Sequence, residues 1–237
     1  MAQGDWVRLS GLICARICHD LVGPIGGVVN GIEFLSEDGM GDDALQLIAD
    51  SAGRAARRLS FFRMALGASG NIDERVAAGD LRSALTGYFA DERARLDVHG
   101  WPADGNVLRA HGGIALCLAA VASQAMPRGG MVGLDWQTGP TGSTLTVSAD
   151  GATVRMPETL VQSVEGRMDP NLLDARTVLP FVVAEMTAAC GGRLRIASDW
   201  SGTDLKRFAV TADLPGIGFG SQHGTMAAFE QTGNAGR

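Results

Sequence analysis

The chain begins with two stretches in which apolar residues recur at alternating steps of four and three positions. The first stretch runs through Val7, Gly11, Cys14, Cys18, Leu21, Ile25, Val28, Ile32 and Leu35. The second runs through Leu45, Ile48, Ala52, Ala55, Leu59, Phe62 and Leu66. This spacing is typical of helices that pack side by side at a shallow angle. It predicts helices over about 5–36 and 43–67, joined as a hairpin by the Gly- and Asp-rich turn between them.

Each predicted apolar stripe extends along the whole hairpin. Two helices alone cannot enclose such stripes, whereas two hairpins can bury them in a four-helix bundle. We therefore expect a homodimer in which residues 1–69 form the dimerisation domain. Small residues at 67–71 predict a linker to the rest of the chain.

The remainder of the chain alternates between helical and strand patterns. Helices are predicted at about 79–95, 113–126 and 172–190, with a short apolar stretch at 96–98, and strands at about 131–137, 142–149, 193–198 and 206–213. This order predicts an α/β sandwich over 70–215, so that the chain as a whole belongs to the α+β class. The polar, Gly-rich segment 216–237 is predicted to be a flexible tail.

Composition excludes several classes of protein. The 237 residues are 46% hydrophobic and 19% charged, as in ordinary globular proteins, and the net charge of −6 argues against a nucleic-acid binder. The longest uncharged apolar run, 112–127, is shorter than the roughly 20 residues of a membrane span. Because the N-terminus lacks an apolar signal segment, we expect a cytoplasmic protein with free thiols and no membrane association.

His19 is the first candidate for chemistry. It follows the stripe residue Cys18 by one position, which predicts that it faces solvent at the flank of the helix. A neutral imidazole can attack a phosphoryl group, and Asp20 can hold the proton of the other ring nitrogen. No metal site is predicted here, because Cys14 and Cys18 lie on the apolar stripe and His19 does not.

Pro24 lies inside the first predicted helix, five residues after His19. A proline there removes the backbone hydrogen bond to the carbonyl of Asp20 and bends the helix, at a cost of about 3 kcal/mol. Several glycines surround the bend: Gly23, Gly26, Gly27 and Gly31. Their surface without side chains suits either the approach of a helix from another protein or close packing inside the dimer, and both interpretations remain open.

The segment His19-Asp20-Leu21-Val22-Gly23-Pro24 resembles the H-[ED]-L-x-x-P box of sensor histidine kinases, whose histidine takes the phosphoryl group. The longer strings CARICHDLVGPIGGVVNGIEFL and LSFFRMALGASG resemble the ChpT-type histidine phosphotransferases of alphaproteobacteria. The resemblance extends over most of 8–215 and is specific in the first 70 residues. It implies that 70–215 is a degenerate form of the ATPase domain of histidine kinases.

The kinase motifs that bind nucleotide are altered at three places. The N-x-x-x-N pair is replaced by Cys117 and Val121, and the D-x-G-x-G loop is reduced to a single Asp-Gly at 150–151. The G-L-G-L turn corresponds to 177–180, where β-branched residues and a proline replace the glycines. We therefore expect no ATP-dependent autophosphorylation; a divergent histidine kinase is the alternative.

The resemblance implies a phosphorelay intermediate involved in cell-cycle regulation. His19, assisted by Asp20, would accept a phosphoryl group from a receiver-domain aspartate of a hybrid kinase and pass it to response regulators of the CtrA type. The receiver would supply Mg²⁺, and this chain would bind no cofactor. A dimeric scaffold that docks receivers without chemistry is a further alternative.

The expected partner-binding residues flank the histidine. Arg16, one turn before His19, is expected to neutralise phosphoryl oxygens. The others are Gly23, Pro24, Gly26, Gly27 and Arg63. Arg54, Arg57 and Arg58 lie on the outward side of the second helix. For each of these arginines, and for Arg16 and Arg63, the alternative is a solvated face that pairs with Glu33, Glu37, Asp50 or the partner subunit. Gly23 replaces the Thr or Asn with which kinases position water, so that reversible transfer is expected rather than hydrolysis.

Overall fold

The computed structural model describes residues 3–35, 41–67, 74–102, 105–201 and 204–216. Two antiparallel helices open the chain, α1 (Gln3–Phe34) and α2 (Gly41–Leu66). The predicted interhelical turn is described only from residue 41 onward. Most of the predicted linker, and the predicted tail beyond residue 216, lie outside the described residues.

The chain continues as a mixed helix and sheet unit. Its helices are α3 (Ala78–Phe89), α4 (Arg109–Gln124), α5 (Glu158–Val164) and α6 (Val178–Ala189). Its strands are β1 (Arg75–Ala77), β2 (Ala94–His99), β3 (Asn106–Leu108), β4 (Gly130–Gly139), β5 (Gly142–Asp150), β6 (Arg193–Ser201) and β7 (Asp204–Pro215). The predicted α+β class is confirmed.

Five strands form one sheet in the order β2-β4-β5-β7-β6. Only β2 and β4 are parallel, because α4 carries the chain back across the sheet between them. Alternate residues of β4, namely Val132, Leu134 and Trp136, are buried beneath the helices. On the opposite face the hydroxyls of Thr146 and Thr211 lie 3.2 Å apart. The sheet is thus covered by helices on one side, which makes a two-layer sandwich.

Two predicted helices have different bounds in the structure. The helix predicted at 79–95 ends at Phe89, and the residues after the following turn form β2. The helix predicted at 172–190 begins only at Val178, because the carboxylate of Asp174 accepts hydrogen bonds from the backbone amides of Arg176 and Thr177, both 2.8 Å long. This Asx-type turn competes with helix formation. The short elements α5, β1 and β3 were not predicted.

Small residues allow α1 and α2 to approach each other closely. A Cβ atom on Gly31 would lie 2.6 Å from Cγ1 of Ile48 and 3.2 Å from the carbonyl oxygen of Ala44, while a Cβ on Gly27 would overlap the hydroxyl of Ser51. Ile48 belongs to the second predicted stripe, but much of both stripes faces away from this contact. Six of their large residues remain more than 40% exposed in the single chain: Val7, Ile25, Ile32, Leu35, Leu45 and Leu59.

The beginning of α1 packs on the sandwich. Leu9 is buried together with Leu173, Val178, Phe181 and Val182. Nearby, the guanidinium of Arg8 donates hydrogen bonds to the carbonyls of Asn171 (2.8 Å), Leu173 (3.0 Å) and Pro170. The hairpin is therefore attached to the second half of the chain at this end.

Within the described part of the chain, α1 is long and apolar enough over Asp5–Phe34 to cross a membrane, judged by length and composition alone. This segment differs from the run at 112–127 that the sequence singled out. The same test is passed by helices of soluble proteins. The helix also carries Arg8, Arg16, His19 and Asp20, which would be costly in hydrocarbon.

Candidate phosphotransfer site

His19 projects from the middle of α1 into solvent. Its side chain is 61% exposed, as expected from its position one residue past the apolar stripe. Its Nδ1 atom lies 3.2 Å from Oδ1 of Asp20. A partner can therefore reach the Nε2 side of the ring, while the Nδ1 side is held by a carboxylate.

Asp20 is enclosed although its neighbour is exposed. Its side chain is only 10% exposed, and its second oxygen, Oδ2, accepts a hydrogen bond of 3.1 Å from Nη2 of Arg16. The two residues are four positions apart, which places them on the same face of the helix. From the sequence, Arg16 was expected to point outward and neutralise phosphoryl oxygens. In the structure it is buried, and its guanidinium is directed at Asp20.

The predicted docking residues after His19 differ in their surroundings. Cβ atoms added at Gly23 and Gly26 would meet nothing within 4 Å, so this part of α1 presents bare backbone to solvent. Pro24 is buried, and Gly27 faces Ser51 of α2. Close packing thus uses Gly27 inside the hairpin, whereas Gly23 and Gly26 leave open space beside the histidine.

Arg63 lies on the other side of α2, where it lines a cleft of about 330 Å³ between α2 and α3 with Arg57, Ser60 and Asp80. It is exposed, and its side chain forms no ion pair or hydrogen bond with another described residue. The structure therefore does not bring Arg63 into contact with His19.

Two arginines of α2 pair with the segment that follows α3. Arg57 donates two hydrogen bonds to the carboxylate of Asp91, 3.0 and 2.9 Å long, and Arg54 lies 3.5 Å from the same group. The hydrogen bond from Arg57 lowers the pKa of Asp91. Asp91 is not among the acidic partners that the sequence analysis considered for these arginines.

Arg58 forms a second connection to the sandwich. Its Nη2 donates to Glu92 at 2.5 Å, and the other oxygen of Glu92 accepts from the hydroxyl of Ser123 at 2.9 Å. The guanidinium lies 4.3 Å from the ring centre of Tyr88, whose ring stacks on Phe61 at 4.1 Å. These arginines consequently hold the hairpin to the sandwich.

Tyr88 is also close to the phosphotransfer residues. Burial is the main cause that raises its pKa to about 12, and the charges of Asp20 and Arg16 also act on it. Tyr88, Asp91 and Glu92 were missed by the sequence analysis. Their contacts with α2 span about 30 positions of sequence, and the only available indication was that Tyr88 is the single tyrosine of the chain.

The positions of the altered kinase motifs are filled by packing. Cys117 is completely buried, which raises the pKa of its thiol to about 12, and its Sγ lies 3.9 Å from the carbonyl oxygen of Ala65 in α2. Val121 is also buried. Val178 and Leu179, at the place of the kinase phosphate turn, are buried as well, and Val178 packs with Leu9 of α1. Among the described residues no group of His, Cys, Asp and Glu side chains is arranged to hold a metal ion.

A helical hairpin with an exposed, carboxylate-supported histidine, followed by a two-layer sandwich, defines the class of histidine phosphotransfer proteins. Comparisons with known proteins agree with this class. The family model of the histidine phosphotransferase C-terminal domain matches residues 78–201. The protein phosphotransferase ChpT of Brucella abortus (strain 2308) is 30% identical over 190 residues, which cover 79% of this chain and 89% of that protein.

One solved structure supports the same class. A bacterial phosphotransferase structure superposes with a TM-score of 0.75 and 27% identity, covering 90% of this chain and 97% of the other. The histidine kinase domain of a blue-light activated kinase from Erythrobacter litoralis aligns with a TM-score of 0.42 and 12% identity over 81% of this chain and 95% of that one. The chain belongs to the histidine phosphotransferase family, and it is a phosphotransferase.

Proposed function

We propose that this phosphotransferase is a phosphorelay intermediate in which His19 carries the phosphoryl group between receiver domains. The observation that supports this most strongly is the exposed ring of His19, with Nδ1 located 3.2 Å from the enclosed carboxylate of Asp20. The donor is the aspartyl phosphate of a hybrid-kinase receiver. The acceptors are receiver domains of response regulators of the CtrA type.

The transfer step balances without a cofactor bound by this chain. The lone pair of Nε2 of His19 forms the N–P bond, while the electron pair of the breaking P–O bond leaves with the carboxylate of the receiver's aspartate. The ring keeps its proton on Nδ1 and becomes positively charged, which the carboxylate of Asp20 stabilises. Mg²⁺ in the receiver neutralises the phosphoryl oxygens, and transfer to the next receiver is the reverse of these events.

The receiver docks on the part of α1 that follows His19. Gly23 and Gly26 present no side chain there, which allows a helix of the partner to come close. Pro24 is buried inside α1 at this place, and Gly27 lets α2 lie close behind it. Arg63 contributes a positive charge from the cleft between α2 and α3, away from His19.

Transfer from a phosphorylated receiver tests this function. Purified protein is incubated with a receiver domain carrying radiolabelled aspartyl phosphate, and acid-labile label on this chain is measured over time. We expect rapid labelling of the wild type and no labelling of His19→Ala, whereas His99→Ala, which alters another exposed histidine, should behave as the wild type. Labelling of His19→Ala would contradict the proposal, and binding of receivers without any labelling would indicate a docking scaffold.

ATP is not the phosphoryl source in this proposal. The support is that Cys117, Val178 and Leu179 fill the places of the kinase nucleotide motifs with buried side chains. Incubation with radiolabelled ATP alone is therefore expected to leave the protein unlabelled. Label on His19 after this incubation would instead identify a divergent histidine kinase.

The active form is a cytoplasmic homodimer with a four-helix bundle. The support is the row of exposed apolar residues on both helices, which two copies can bury against each other. Ile32→Asp places a charge in this row, at a site that is 55% exposed in the single chain, and should convert the dimer to monomers in sedimentation experiments. Glu33→Gln, at the neighbouring exposed position, is the matched control and should remain dimeric.

A further inference from the structure

The most unusual side chain near the candidate site is Arg16. Arginine is almost never fully buried unless it is paired, yet Arg16 retains only 8% of its exposure. Its Nη2 donates to Asp20, and its Nε atom is enclosed without a hydrogen-bond partner among the described residues. Such an arrangement costs free energy, so a benefit elsewhere is expected.

The carboxylate of Asp20 divides its two oxygens between two neighbours. Oδ2 accepts from Arg16 at 3.1 Å, and Oδ1 lies 3.2 Å from Nδ1 of His19. Adjacent residues on a helix project in directions about 100° apart, so Asp20 does not meet His19 automatically. Its side chain must be fixed in the rotamer that turns Oδ1 toward the ring, and the bond from Arg16 to Oδ2 does this.

Tyr88 lies close enough to Arg16 for the charge of the guanidinium to act on its hydroxyl. Tyr88 is buried, stacks on Phe61 at 4.1 Å and carries the guanidinium of Arg58 at 4.3 Å from its ring centre. Arg58 is bonded in turn to Glu92 of the sandwich. Tyr88, which lies near Arg16, is thus held in place by groups of this chain that do not depend on a partner protein.

We propose that Arg16 is a positioning residue for phosphotransfer, which fixes the carboxylate of Asp20 so that His19 holds its proton on Nδ1 and directs the lone pair of Nε2 at the receiver. This proposal rests on the function proposed above. It differs from a direct contact between Arg16 and the phosphoryl group, because the guanidinium acts only through Asp20.

The kinetic test uses single-turnover transfer from a phosphorylated receiver at a series of receiver concentrations. Arg16→Gln should lower the maximal rate about 10- to 100-fold, the size of effect expected when a reacting group is misplaced. The receiver concentration at half-maximal rate should stay unchanged, because Arg16 does not touch the partner. Arg82→Gln, on the exposed surface of α3, is the control and should keep the wild-type rate.

A double-mutant cycle identifies the route of the effect. Asp20→Asn should slow transfer, and adding Arg16→Gln to it should produce no further loss, because the group that Arg16 acts on is already gone. If the losses in transfer rate of the two single variants multiply in the double variant, the proposal is overturned. A higher half-saturating receiver concentration in Arg16→Gln would also overturn it, and would place Arg16 at the partner interface.

A measurement without any transfer separates this proposal from the proposed function. ¹⁵N NMR of the unphosphorylated protein reports which ring nitrogen of His19 carries the proton. We expect the Nδ1–H form to predominate in the wild type, a mixture in Arg16→Gln and partial recovery in Arg16→Lys, which keeps the charge. Unchanged tautomers in these variants would refute the role of Arg16 even if His19 is phosphorylated. If Arg16→Gln fails to fold, the Arg16→Lys comparison carries the test.

Discussion

The apolar helices α1 and α4 differ in what they do with similar residues. In α4 every residue from 111 to 123 is buried, because the helix is apolar on all sides and lies between the sheet, α2 and α6. In α1 the apolar residues form stripes and most of the helix surface is exposed. The arrangement of apolar residues around a helix, and not their number, decides whether a reactive side chain on it can remain exposed to solvent.

This difference separates the roles of the two halves. By the sequence resemblance, α4 corresponds to the helix that carries nucleotide ligands in a kinase, and Cys117 and Val121 are buried there. The helix that carries the histidine is α1, and its polar flank keeps His19 accessible while Asp20 and Arg16 are enclosed beneath it. In the proposed function, the sandwich therefore serves as a support for phosphotransfer on the hairpin.

The largest expected difference between the helices concerns stability. Leu116→Ala in α4 removes a fully buried side chain and should lower the free energy of unfolding by about 2–5 kcal/mol. Val29→Ala in α1, where the side chain is 49% exposed, should change it by less than about 0.5 kcal/mol. Urea denaturation of both variants measures the change in the free energy of unfolding. Equal changes in the two variants would contradict the expected difference between α4 and α1.

Two glycines of α1 sharpen the comparison within that helix. Gly31→Ala would force a Cβ against Ile48 and the carbonyl of Ala44, and should destabilise the hairpin by about 1–3 kcal/mol. Gly26→Ala enters open space and should stabilise the helix by up to about 1 kcal/mol. The thermal unfolding temperature should therefore fall in Gly31→Ala and rise in Gly26→Ala. A change in the same direction in both variants would contradict the described packing of α1 on α2.

Restoring a kinase asparagine tests the passive role of α4. Cys117→Asn would bury an amide group without partners and should cost about 1–3 kcal/mol. Because the surrounding side chains fill this place, titration calorimetry with Mg²⁺ and ATP should detect no binding to the variant. Saturable binding would show that α4 can still support a nucleotide site.

A smaller effect is expected where the two halves are joined. The hydrogen bond from Arg57 holds the pKa of Asp91 below its ordinary value of 3.8, so the pair stabilises the protein above that pH. Asp91→Asn should cost about 1 kcal/mol near neutral pH. As the pH falls through the lowered pKa, Asp91 itself becomes protonated, and the difference from the variant should vanish. Denaturation over a pH series measures the difference in the free energy of unfolding between the wild type and Asp91→Asn. A difference that grows as the pH falls would contradict this expectation.

The sequence predicted the features that rest on local pattern. The spacing of apolar residues predicted α1 and α2, and the position of His19 beside Cys18 predicted its exposure. Pairing over long distances left no comparable pattern, so the bonds from Arg57 to Asp91 and from Arg58 to Glu92 could not be foreseen. The delayed start of α6 depends on the side chain of Asp174, whose competition with the helix is invisible to periodicity.

The inward direction of Arg16 was also beyond sequence reasoning. Its spacing from Asp20 is compatible with a bond along the helix, but equally with a guanidinium that reaches into solvent. What decides between them is the tertiary structure, in which Arg16 is buried and donates to Asp20. His19, Asp20 and Arg16 could thus be named in advance as candidates, whereas Tyr88 and the connections among these residues required the tertiary structure.

The most direct test of the account is to locate the phosphoryl group itself. Protein treated with a phosphorylated receiver, or with ATP alone, is digested under mildly alkaline conditions and its peptides are analysed by mass spectrometry. The account predicts phosphohistidine at position 19 after treatment with the receiver and unmodified peptide after treatment with ATP. Phosphate on any other residue, or on His19 after ATP alone, would contradict it.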